Sequence, residues 1–359
     1  MKHFNMKTGI RKIAALVMMM LFVCQVWAFD FSAVSSSGHR LYYTIVSDVA
    51  PRTVKVVAPA DDYWNNPSWN GYTKPTGNVV VPQTVTYGQN SYTVIGLDNR
   101  CFNECDGMRA ITLPATIDSI DEYAFYGCGL RSIVIPNSVR HIGNNAFYNC
   151  SYLNLVTLPD SLRSIEQYLF YGCDSLTSIT IPPLVDSINT YAFYSSGLTS
   201  IVVPLSVKYI GRYAFAHTER LTSISLPASI RHLSEGAFEY SSYYNNSANW
   251  MDSTLYISNH LIKMDKVVSG TLALPAGTIG IADNAIANAD NIETISLPAS
   301  LKYIGNYAFT DAYILYSANL PSGLERIGDR AFSGCLALEN VSFGSSLKHI
   351  GEYAFENCN

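Results

Sequence analysis

One unit recurs along most of this sequence at a nearly fixed spacing. Aligned on the proline of an apolar-x-apolar-Pro run, nine segments fall under one another, and a tenth carries Gly344 in place of the proline. The prolines are Pro114, Pro136, Pro159, Pro182, Pro204, Pro227, Pro275, Pro298 and Pro321. Successive units are 22, 23, 23, 22, 23, 48, 23, 23 and 23 residues apart. Such self-similarity indicates a solenoid, which grows by stacking repeats instead of enclosing one core.

Two apolar clusters mark the parts of each coil. The alternation before the proline, as in Ile179-Thr180-Ile181, predicts a short strand that the proline ends, because proline cannot donate to a sheet ladder. Six residues after the proline comes a second apolar anchor, often followed by a glycine that suits a turn with positive φ. An Ala-Phe pair then closes the unit, and we expect it on one short helical turn. The anchors are Ile120, Ile142, Ile165, Ile188, Ile210, Leu233, Ile281, Ile304, Ile327 and Ile350. The closing residues are Phe125, Phe147, Phe170, Phe193, Phe215, Phe238, Phe309, Phe332 and Phe355, with Ile286 in the weakest unit.

These units predict a β-rich α/β solenoid. One coil cannot bury its own apolar face, whereas stacked coils can. Because strands of neighbouring coils lie about 4.8 Å apart, ten coils would form a parallel sheet on the order of 50 Å long on one side of a rod. The predicted fold is therefore a leucine-rich-repeat rod of about ten coils of 22–23 residues, with a small N-terminal β cap.

The consensus of the units, Leu-x-x-Ile-x-Ile-Pro-x-x-Val-x-x-Ile-Gly-x-x-Ala-Phe-x-x-Cys, resembles the BspA-like, or TpLRR-type, leucine-rich repeat. The resemblance covers about residues 91–359. It implies an extracellular protein of the kind displayed by gut and oral anaerobes. It further implies an adhesin, since some family members bind host matrix proteins such as fibronectin and others bind partner bacteria.

Five segments divide the chain. They are a signal peptide (1–28), a β-rich cap (29–90), a first repeat block (91–240), an insertion with a hairpin around Asn259 (241–270) and a second repeat block (271–359). The signal peptide is predicted from the basic start, the short apolar run 13–23 and the small residues Val26 and Ala28 at −3 and −1 of a cleavage site; an uncleaved anchor is the alternative. No later segment approaches the 18 apolar residues of a membrane span.

Two of these segments leave alternatives open. The cap is either only a cover for the end of the sheet or a separate recognition module. The second interpretation depends on four aromatic residues that we expect to be exposed in a Gly/Asn/Pro-rich loop, namely Tyr63, Trp64, Trp69 and Tyr72. The insertion is either a divergent coil or a binding loop that projects from the rod.

Charge and motif content argue against several functions. The formal net charge is −5, and removal of the four basic residues of 1–28 makes it −9, which disfavours nucleic acid. The sequence contains no phosphate-binding loop, no Gly-x-Ser-x-Gly and no His-Glu-x-x-His. His141, His232 and His349 occupy one repeat position beside a broken row of basic residues, which indicates a solvated face. We therefore predict no catalytic residue, no metal and no cofactor.

Six cysteines share one position, three residues after the phenylalanine. They are Cys105, Cys128, Cys150, Cys173, Cys335 and Cys358. Other coils carry Ser, Thr or Ala there, so the position favours a small buried side chain and a ladder of free thiols. Disulfides between adjacent coils are the alternative, because the coil spacing falls within the permitted Cα range. Cys101 lies where other units have Ala.

Tyrosines flank the Ala-Phe pairs and form the candidate binding site. The two flanking positions are three residues apart, so they would share one face of a helical turn and align into a ridge when coils stack. The tyrosine ridge comprises Tyr123, Tyr126, Tyr148, Tyr168, Tyr171, Tyr191, Tyr194 and Tyr213. Tyrosine offers a large contact area at small entropic cost, although these rings would equally serve only to cover the Phe core.

The sequence thus predicts a secreted or cell-surface protein that binds extracellular proteins of a host or of neighbouring cells. A glycan- or mucin-binding module is the alternative, because tyrosines and polar loops also suit sugars. A structural spacer without its own ligand is a third possibility.

Overall fold

The computed structural model describes residues 28–62 and 66–359. They form a β-solenoid of about eleven coils with parallel sheets, so the predicted solenoid is confirmed. The predicted signal peptide, apart from Ala28, lies outside the described residues. The described residues contain no helix that is long and apolar enough to span a bilayer.

The N-terminal part is a small set of strands that continues directly into the coils. Its strands are β1 (Phe31–Val34), β2 (Arg40–Ser47), β3 (Thr53–Val57), β4 (Ala60–Asp61), β5 (Pro67–Ser68), β6 (Gly77–Val80), β7 (Thr84–Tyr87) and β8 (Asn90–Leu97). The antiparallel strands β1, β2 and β3 cover the edge of β8, which β3 joins in parallel. Lys55 of β3 also forms an ion pair with Asp121 of a following coil (Nζ to Oδ2, 2.6 Å). This part therefore closes the end of the solenoid sheet.

The strands before the prolines form the first sheet of the solenoid, which we call the proline sheet. After β6 its strands are β9 (Met108–Thr112), β11 (Ser132–Val134), β13 (Leu155–Thr157), β16 (Ser200–Val202), β18 (Ser223–Ser225), β23 (Gly270–Ala273), β25 (Ile292–Ser296), β27 (Ser317–Asn319) and β29 (Asn340–Ser342). The strands are hydrogen-bonded in three separate parts, β6 to β13, β16 with β18, and β23 to β29, and within each part neighbouring strands are parallel, as in Ile133 opposite Val156. The strand predicted at Ile179–Ile181 does not form, although Ile181 is still buried.

The proline sheet begins earlier than the aligned repeats, and its outer face is mixed in composition. Strand β6 is followed by Val81 and Pro82, so an apolar-x-apolar-Pro run opens the solenoid one unit earlier than the repeats that we aligned. Its outer face is not uniformly small and hydroxylated, because Val134 and Val202 are 64% and 72% exposed among the serines and threonines.

A second parallel sheet, which the sequence did not predict, runs through the apolar anchors. We call it the anchor sheet. Beyond β8 its strands are β10 (Ser119–Ile120), β12 (His141–Ile142), β14 (Ser164–Ile165), β15 (Ser187–Ile188), β17 (Tyr209–Ile210), β19 (His232–Leu233), β24 (Gly280–Ile281), β26 (Tyr303–Ile304), β28 (Arg326–Ile327) and β30 (His349–Ile350). Each has only two residues, too few for period-2 alternation to show in the sequence.

The glycines after the anchors are present for a reason other than the one predicted. Gly211 and Gly328 do not lie in the positive-φ region. Instead, a Cβ on either would lie 2.5 Å from a backbone nitrogen of the preceding coil, Thr190 N or Asn306 N. Absence of a side chain therefore permits close approach of successive coils, and the turn itself does not require glycine here.

The insertion packs in part onto the rod, which favours the divergent-coil interpretation over a projecting loop. It contains helix α1 (Ser242–Asn245), a 3₁₀ turn (Ser247–Asn249), β20 (Trp250–Met251), β21 (Thr254–Ile257) and β22 (His260–Met264). Strands β21 and β22 form an antiparallel hairpin across Ser258 and Asn259, and β22 then joins the anchor sheet in parallel with β24. Tyr243 and Trp250 pack partly buried against the core. The second half of the insertion is thus a divergent coil.

A buried histidine, His260, forms hydrogen bonds to both repeat blocks at their junction. The His260 ring is fully buried, and its Nε2 lies 3.2 Å from the Pro227 carbonyl oxygen while Nδ1 lies 3.0 Å from the Tyr303 hydroxyl. Burial lowers the pKa of His260 to about 4, which keeps the ring neutral. A neutral ring that donates from Nε2 and accepts at Nδ1 satisfies all three groups.

The cysteines of the repeat are free thiols, as the ladder interpretation expects. Cys150 and Cys173 are fully buried, and each Sγ points to a phenylalanine carbonyl of the preceding coil, Phe125 O (2.9 Å) and Phe147 O (3.2 Å). Burial raises the pKa of both thiols well above the usual value, so they are unreactive.

Candidate functional site

The tyrosines lie on turns that stack by main-chain hydrogen bonds. In each such turn alternate N–H groups donate to the next coil, as Tyr123 N, Phe125 N and Gly127 N do to the carbonyl oxygens of Asn144 (3.1 Å), Ala146 (2.8 Å) and Tyr148 (2.8 Å). The expected helical turn does not form. Instead, this ladder holds equivalent side chains of successive coils directly above one another.

Inside these turns the closing phenylalanines form a continuous buried stack. In the first block the column runs through Phe102, Phe125, Phe147, Phe170, Phe193, Phe215 and Phe238, with ring centroids 5.1–5.6 Å apart and planes within 14° of parallel. All seven rings are fully buried. The tyrosines flank this column on the outside.

The first tyrosine column occupies the position just after the phenylalanine. Tyr126, Tyr148, Tyr171 and Tyr194 stack with centroids 5.2, 4.5 and 4.8 Å apart and planes within 12° of parallel. Beyond Tyr194 the row of rings continues with tilted contacts, through His217 (4.9 Å) and then Tyr240 (4.6 Å from His217), which the sequence analysis missed. Both lie one residue later in their coils, so a search at fixed spacing passes over them.

The second column occupies the position just before the Ala-Phe pair. Tyr168 stacks on Tyr191 (4.9 Å), and Tyr191 stacks on Tyr213 (5.3 Å). Tyr123 belongs to the same column, but Asn145 of the intervening coil separates it from Tyr168. Guanidinium groups cover both ends, with Arg100 4.4 Å from the Tyr123 centroid and Arg212 4.8 Å from that of Tyr213.

Contacts between the columns join all eight predicted tyrosines into one surface. The cross-column pairs are Tyr123–Tyr126, Tyr148–Tyr168, Tyr168–Tyr171, Tyr171–Tyr191 and Tyr191–Tyr194, with centroids 5.3–6.5 Å apart. Each of the eight residues is half-buried. The structure thus brings together every residue of the predicted ridge; whether a ligand binds there remains a prediction.

The backbone at the second column is one that tyrosine does not favour. Tyr123, Tyr168, Tyr191 and Tyr213 have φ of 53–57°, in the left-handed region. Such a conformation costs a residue other than glycine about 1–3 kcal/mol, least for Asn or Asp. Asn145 and Asn284 occupy the same position in other coils, and their φ angles are also positive, 59° and 56°. Because Asn would be the easier choice, the tyrosine rings must contribute through their contacts.

Burial raises the phenol pKa of four ridge tyrosines. Burial, with a smaller contribution from neighbouring tyrosines, raises the pKa of Tyr148, Tyr168 and Tyr194 above the usual value. Burial together with Glu235 does the same for Tyr213. The hydroxyls are therefore neutral groups that can donate as well as accept.

The stacking decides which part of each ring a ligand can reach. Within a column the neighbouring rings cover most of the ring faces, which leaves mainly edges and hydroxyls for a ligand. Ring edges carry partial positive charge, whereas the faces carry the negative charge. A surface of edges and hydroxyl donors suits carbonyl oxygens and the faces of other aromatic rings. It does not offer the free faces on which a flat apolar ligand would stack.

The other aromatic candidates do not form a site. Trp69 is 3% exposed and donates from Nε1 to the Cys101 carbonyl oxygen (2.9 Å), so it anchors the cap and is not exposed as expected. Tyr72 is half-buried and packs edge-on against Tyr42. Tyr63 and Trp64 lie outside the described residues. Burial of Trp69 leaves little support for a separate recognition module.

One histidine of the predicted solvated row, His232, behaves differently from the other two, His141 and His349. His232 pairs with Asp283 across the junction (Nε2 to Oδ2, 2.9 Å), whereas His141 is exposed. His260 belongs to no repeat position that the sequence revealed. Within residues 28–62 and 66–359, no three His, Cys, Asp or Glu side chains come together as a metal site.

Comparison with known proteins gives one family match. The profile of the "BspA type Leucine rich repeat region" matches in six copies, over residues 84–196, 186–264 and 247–359. No curated protein matches the chain.

Several solved structures are similar in part. A leucine-rich repeat protein from Bacteroides ovatus is 23% identical, with 88% of this chain and 90% of that chain covered and a TM-score of 0.42. A leucine rich cell surface protein from Faecalibacterium prausnitzii is 23% identical, with 91% and 92% covered and a TM-score of 0.43. The pneumococcal vaccine antigen PcpA is 19% identical, with 92% and 80% covered and a TM-score of 0.40.

Proposed function

Because the chain belongs to the BspA-type leucine-rich repeat family, we propose that it is an exported cell-surface protein that binds other proteins through the tyrosine ridge. On this proposal residues 1–28 direct export, and the ridge mediates adhesion to host matrix proteins or to partner cells. The rod itself catalyses nothing and serves to hold the binding surface in place.

The single observation that carries the proposal is the continuous double column of tyrosines. Eight half-buried rings in mutual contact form a rigid surface, so binding costs little side-chain entropy. Four of them keep a backbone that Asn would adopt more readily.

The covered ring faces favour a protein ligand over a glycan. Main-chain carbonyls and aromatic side chains of a protein complement edges and hydroxyl donors. The glycan or mucin alternative therefore stands second, and the spacer third.

The test is binding of the full chain to an array of extracellular-matrix proteins and mucin glycans. The ridge variant carries Tyr168→Asn, Tyr191→Asn, Tyr171→Thr and Tyr194→Thr, all residue types that the chain itself places at these positions, as in Asn145 and Thr310. We expect saturable binding to protein, weakened at least about tenfold in the ridge variant.

The matched control is Tyr307→Asn with Tyr353→Asn, at the same turn position in the second block but outside the ridge. It should bind like the unchanged chain. Undiminished binding by a folded ridge variant would exclude the ridge as the site. Binding to glycans alone would replace the protein ligand by a sugar, and binding to neither class would favour the spacer.

A further inference from the structure

Two coils are one residue shorter than their neighbours, and the missing residue lies at the same corner. In the 22-residue coils the corner after the small buried residue is a single glycine, Gly129 or Gly197, where the 23-residue coils have two residues, such as Ser151 and Tyr152. Each short corner leaves a notch between the longer corners on either side. We call these the Gly129 notch and the Gly197 notch.

The backbone of the two notches is the same. Gly129 N donates to Cys105 O (3.2 Å), and Gly197 N donates to Cys173 O (3.1 Å). A Cβ on Gly129 would lie 2.0 Å from Asp106 O, and one on Gly197 would lie 2.0 Å from Asp174 O. The two notches therefore have equivalent carbonyl oxygens: that of the glycine itself, and that of an aspartate in the preceding coil, Asp106 or Asp174.

In the Gly129 notch these carbonyls bind an arginine of the chain itself. Arg109 Nη1 donates to Asp106 O (2.7 Å) and reaches Gly129 O (3.4 Å). The same nitrogen lies only 2.6 Å from where a Gly129 Cβ would be, so the guanidinium rests directly on the glycine. The planar group with several donors fits two carbonyls that a single point charge would satisfy less well.

The Gly197 notch lacks this arginine, because Thr177 occupies the position that corresponds to Arg109. It is an open cleft of about 390 Å³, lined by Asp174, Ser195, Ser196, Gly197, His217, Glu219 and Arg220. Within the described residues, no hydrogen bond reaches Asp174 O or Gly197 O. The Ser196 hydroxyl, in a residue only 3% exposed, also has no partner there.

The charge of the cleft favours a cation. Two carboxylates, Asp174 and Glu219, line it against one guanidinium, that of Arg220. Arg220 takes part in none of the ion pairs of the described residues, and no hydrogen bond like that of Arg109 to Asp106 O joins it to the notch there. The Ser196 hydroxyl is the buried group of this cleft, and a buried side-chain polar atom without a partner is rare in folded proteins and needs an explanation, which a bound donor would supply.

We propose that the Gly197 notch binds the guanidinium of an arginine side chain presented by a partner protein. The bound group would donate to Asp174 O and Gly197 O as Arg109 does in the Gly129 notch, with the carboxylates of Asp174 and Glu219 beside it. His217, which lines the notch, contacts Tyr194 of the ridge, with tilted rings whose centroids are 4.9 Å apart. The inference rests on the proposed function only in taking the partner to be a protein.

An NMR titration of the ¹⁵N-labelled full chain tests the site directly. The probe is N-acetyl-arginine amide, and its citrulline counterpart is the neutral control of the same shape. We expect a saturable shift of the Gly197 amide with the arginine probe and none with citrulline. Arg109→Thr should open a second site that shifts Gly129. No shift at Gly197, or an equal shift with citrulline, would overturn the proposal.

A second set of variants gives a readout that does not need the probe. Thr177→Arg should fill the notch from within, abolish the Gly197 shift and raise Tm, whereas Arg109→Thr should lower Tm. Thr199→Arg is the matched control. The corresponding corner of the next coil has two residues, Glu219 and Arg220, and therefore forms no notch. A Tm of Thr177→Arg no higher than that of Thr199→Arg would contradict the proposal. The ridge variant should keep the Gly197 shift, so failure of the ridge and failure of the notch are distinguishable.

Discussion

The first and second repeat blocks share one interior but differ in their exterior. Phenylalanine rings stack in both, from Phe102 to Phe238 in the first and from Phe309 to Phe355 in the second, and Phe309 and Phe332 are 4.8 Å apart. The tyrosine columns exist only in the first block. In the second, Thr310, Ser333 and Glu356 follow the phenylalanines, and Arg330 separates Tyr307 from Tyr353.

This difference distinguishes the residues that the fold requires, the stacked phenylalanines, from those that only line its surface, the tyrosines. The same coil geometry, including left-handed φ at Tyr307, Arg330 and Tyr353, forms without any tyrosine column. The columns are therefore not needed for stacking of the coils. The fold does not need this tyrosine surface, yet the first block forms it over five coils. We therefore assign the proposed function to this surface.

The strongest way to test the shared interior is to truncate one stacked phenylalanine in each block. Phe193→Ala and Phe332→Ala should each destabilise the protein by about 3–5 kcal/mol, because each removes a fully buried ring with a ring on both sides. Denaturant unfolding measures both. If only Phe193→Ala had a large effect, the two blocks would not share one kind of interior.

The next test addresses the junction that couples the blocks. Tyr303→Phe should cost about 1–3 kcal/mol, because it leaves the buried His260 Nδ1 without a partner. Tyr209→Phe, at the same coil position but half-buried, should cost less than about 0.5 kcal/mol. Equal effects would mean that the polar junction does not hold the blocks together.

The pH dependence of unfolding provides a second measurement at the junction. The pKa of His260 is about 4 in the fold, below its ordinary value of 6.5. The stability that the neutral ring contributes is therefore present above pH 6.5 and is lost as the pH falls towards 4. The loss amounts to on the order of 3 kcal/mol, and His260→Gln should abolish it. A His260→Gln profile as steep as that of the unchanged chain would contradict this assignment.

The smallest expected effect concerns the exterior. Tyr191→Asn should change stability by less than about 1 kcal/mol, because relief of the left-handed backbone offsets loss of ring stacking. Tyr353→Asn, where only Arg330 covers the ring (4.7 Å), should be neutral or slightly stabilising. Thermal unfolding compares the two. A large loss for Tyr191→Asn would mean that the ridge serves folding after all.

Parts of the fold and site could be predicted because they repeat. The column positions of Phe193, Cys173 and Tyr171 follow from spacing alone, since every coil places equivalent residues above one another. The two-residue anchor strands could not be predicted, because they are too short to show a period. His260, Trp69 and the opening coil at Pro82 were missed or misplaced because they occur once, where no repeat indicates their surroundings.

The sequence by itself determined the solenoid, the stacked phenylalanines, the thiol ladder and the alignment of the eight tyrosines. Periodic residues on a stacked chain have only one way to be buried together, so the period is sufficient. Only the tertiary structure decided that stacking covers most of the tyrosine faces, that the post-anchor glycines permit close approach, and that the Gly197 notch is open while Arg109 occupies the other. These features depend on how one coil lies against the next, and contacts across coils are set by three-dimensional packing that the order of residues does not display.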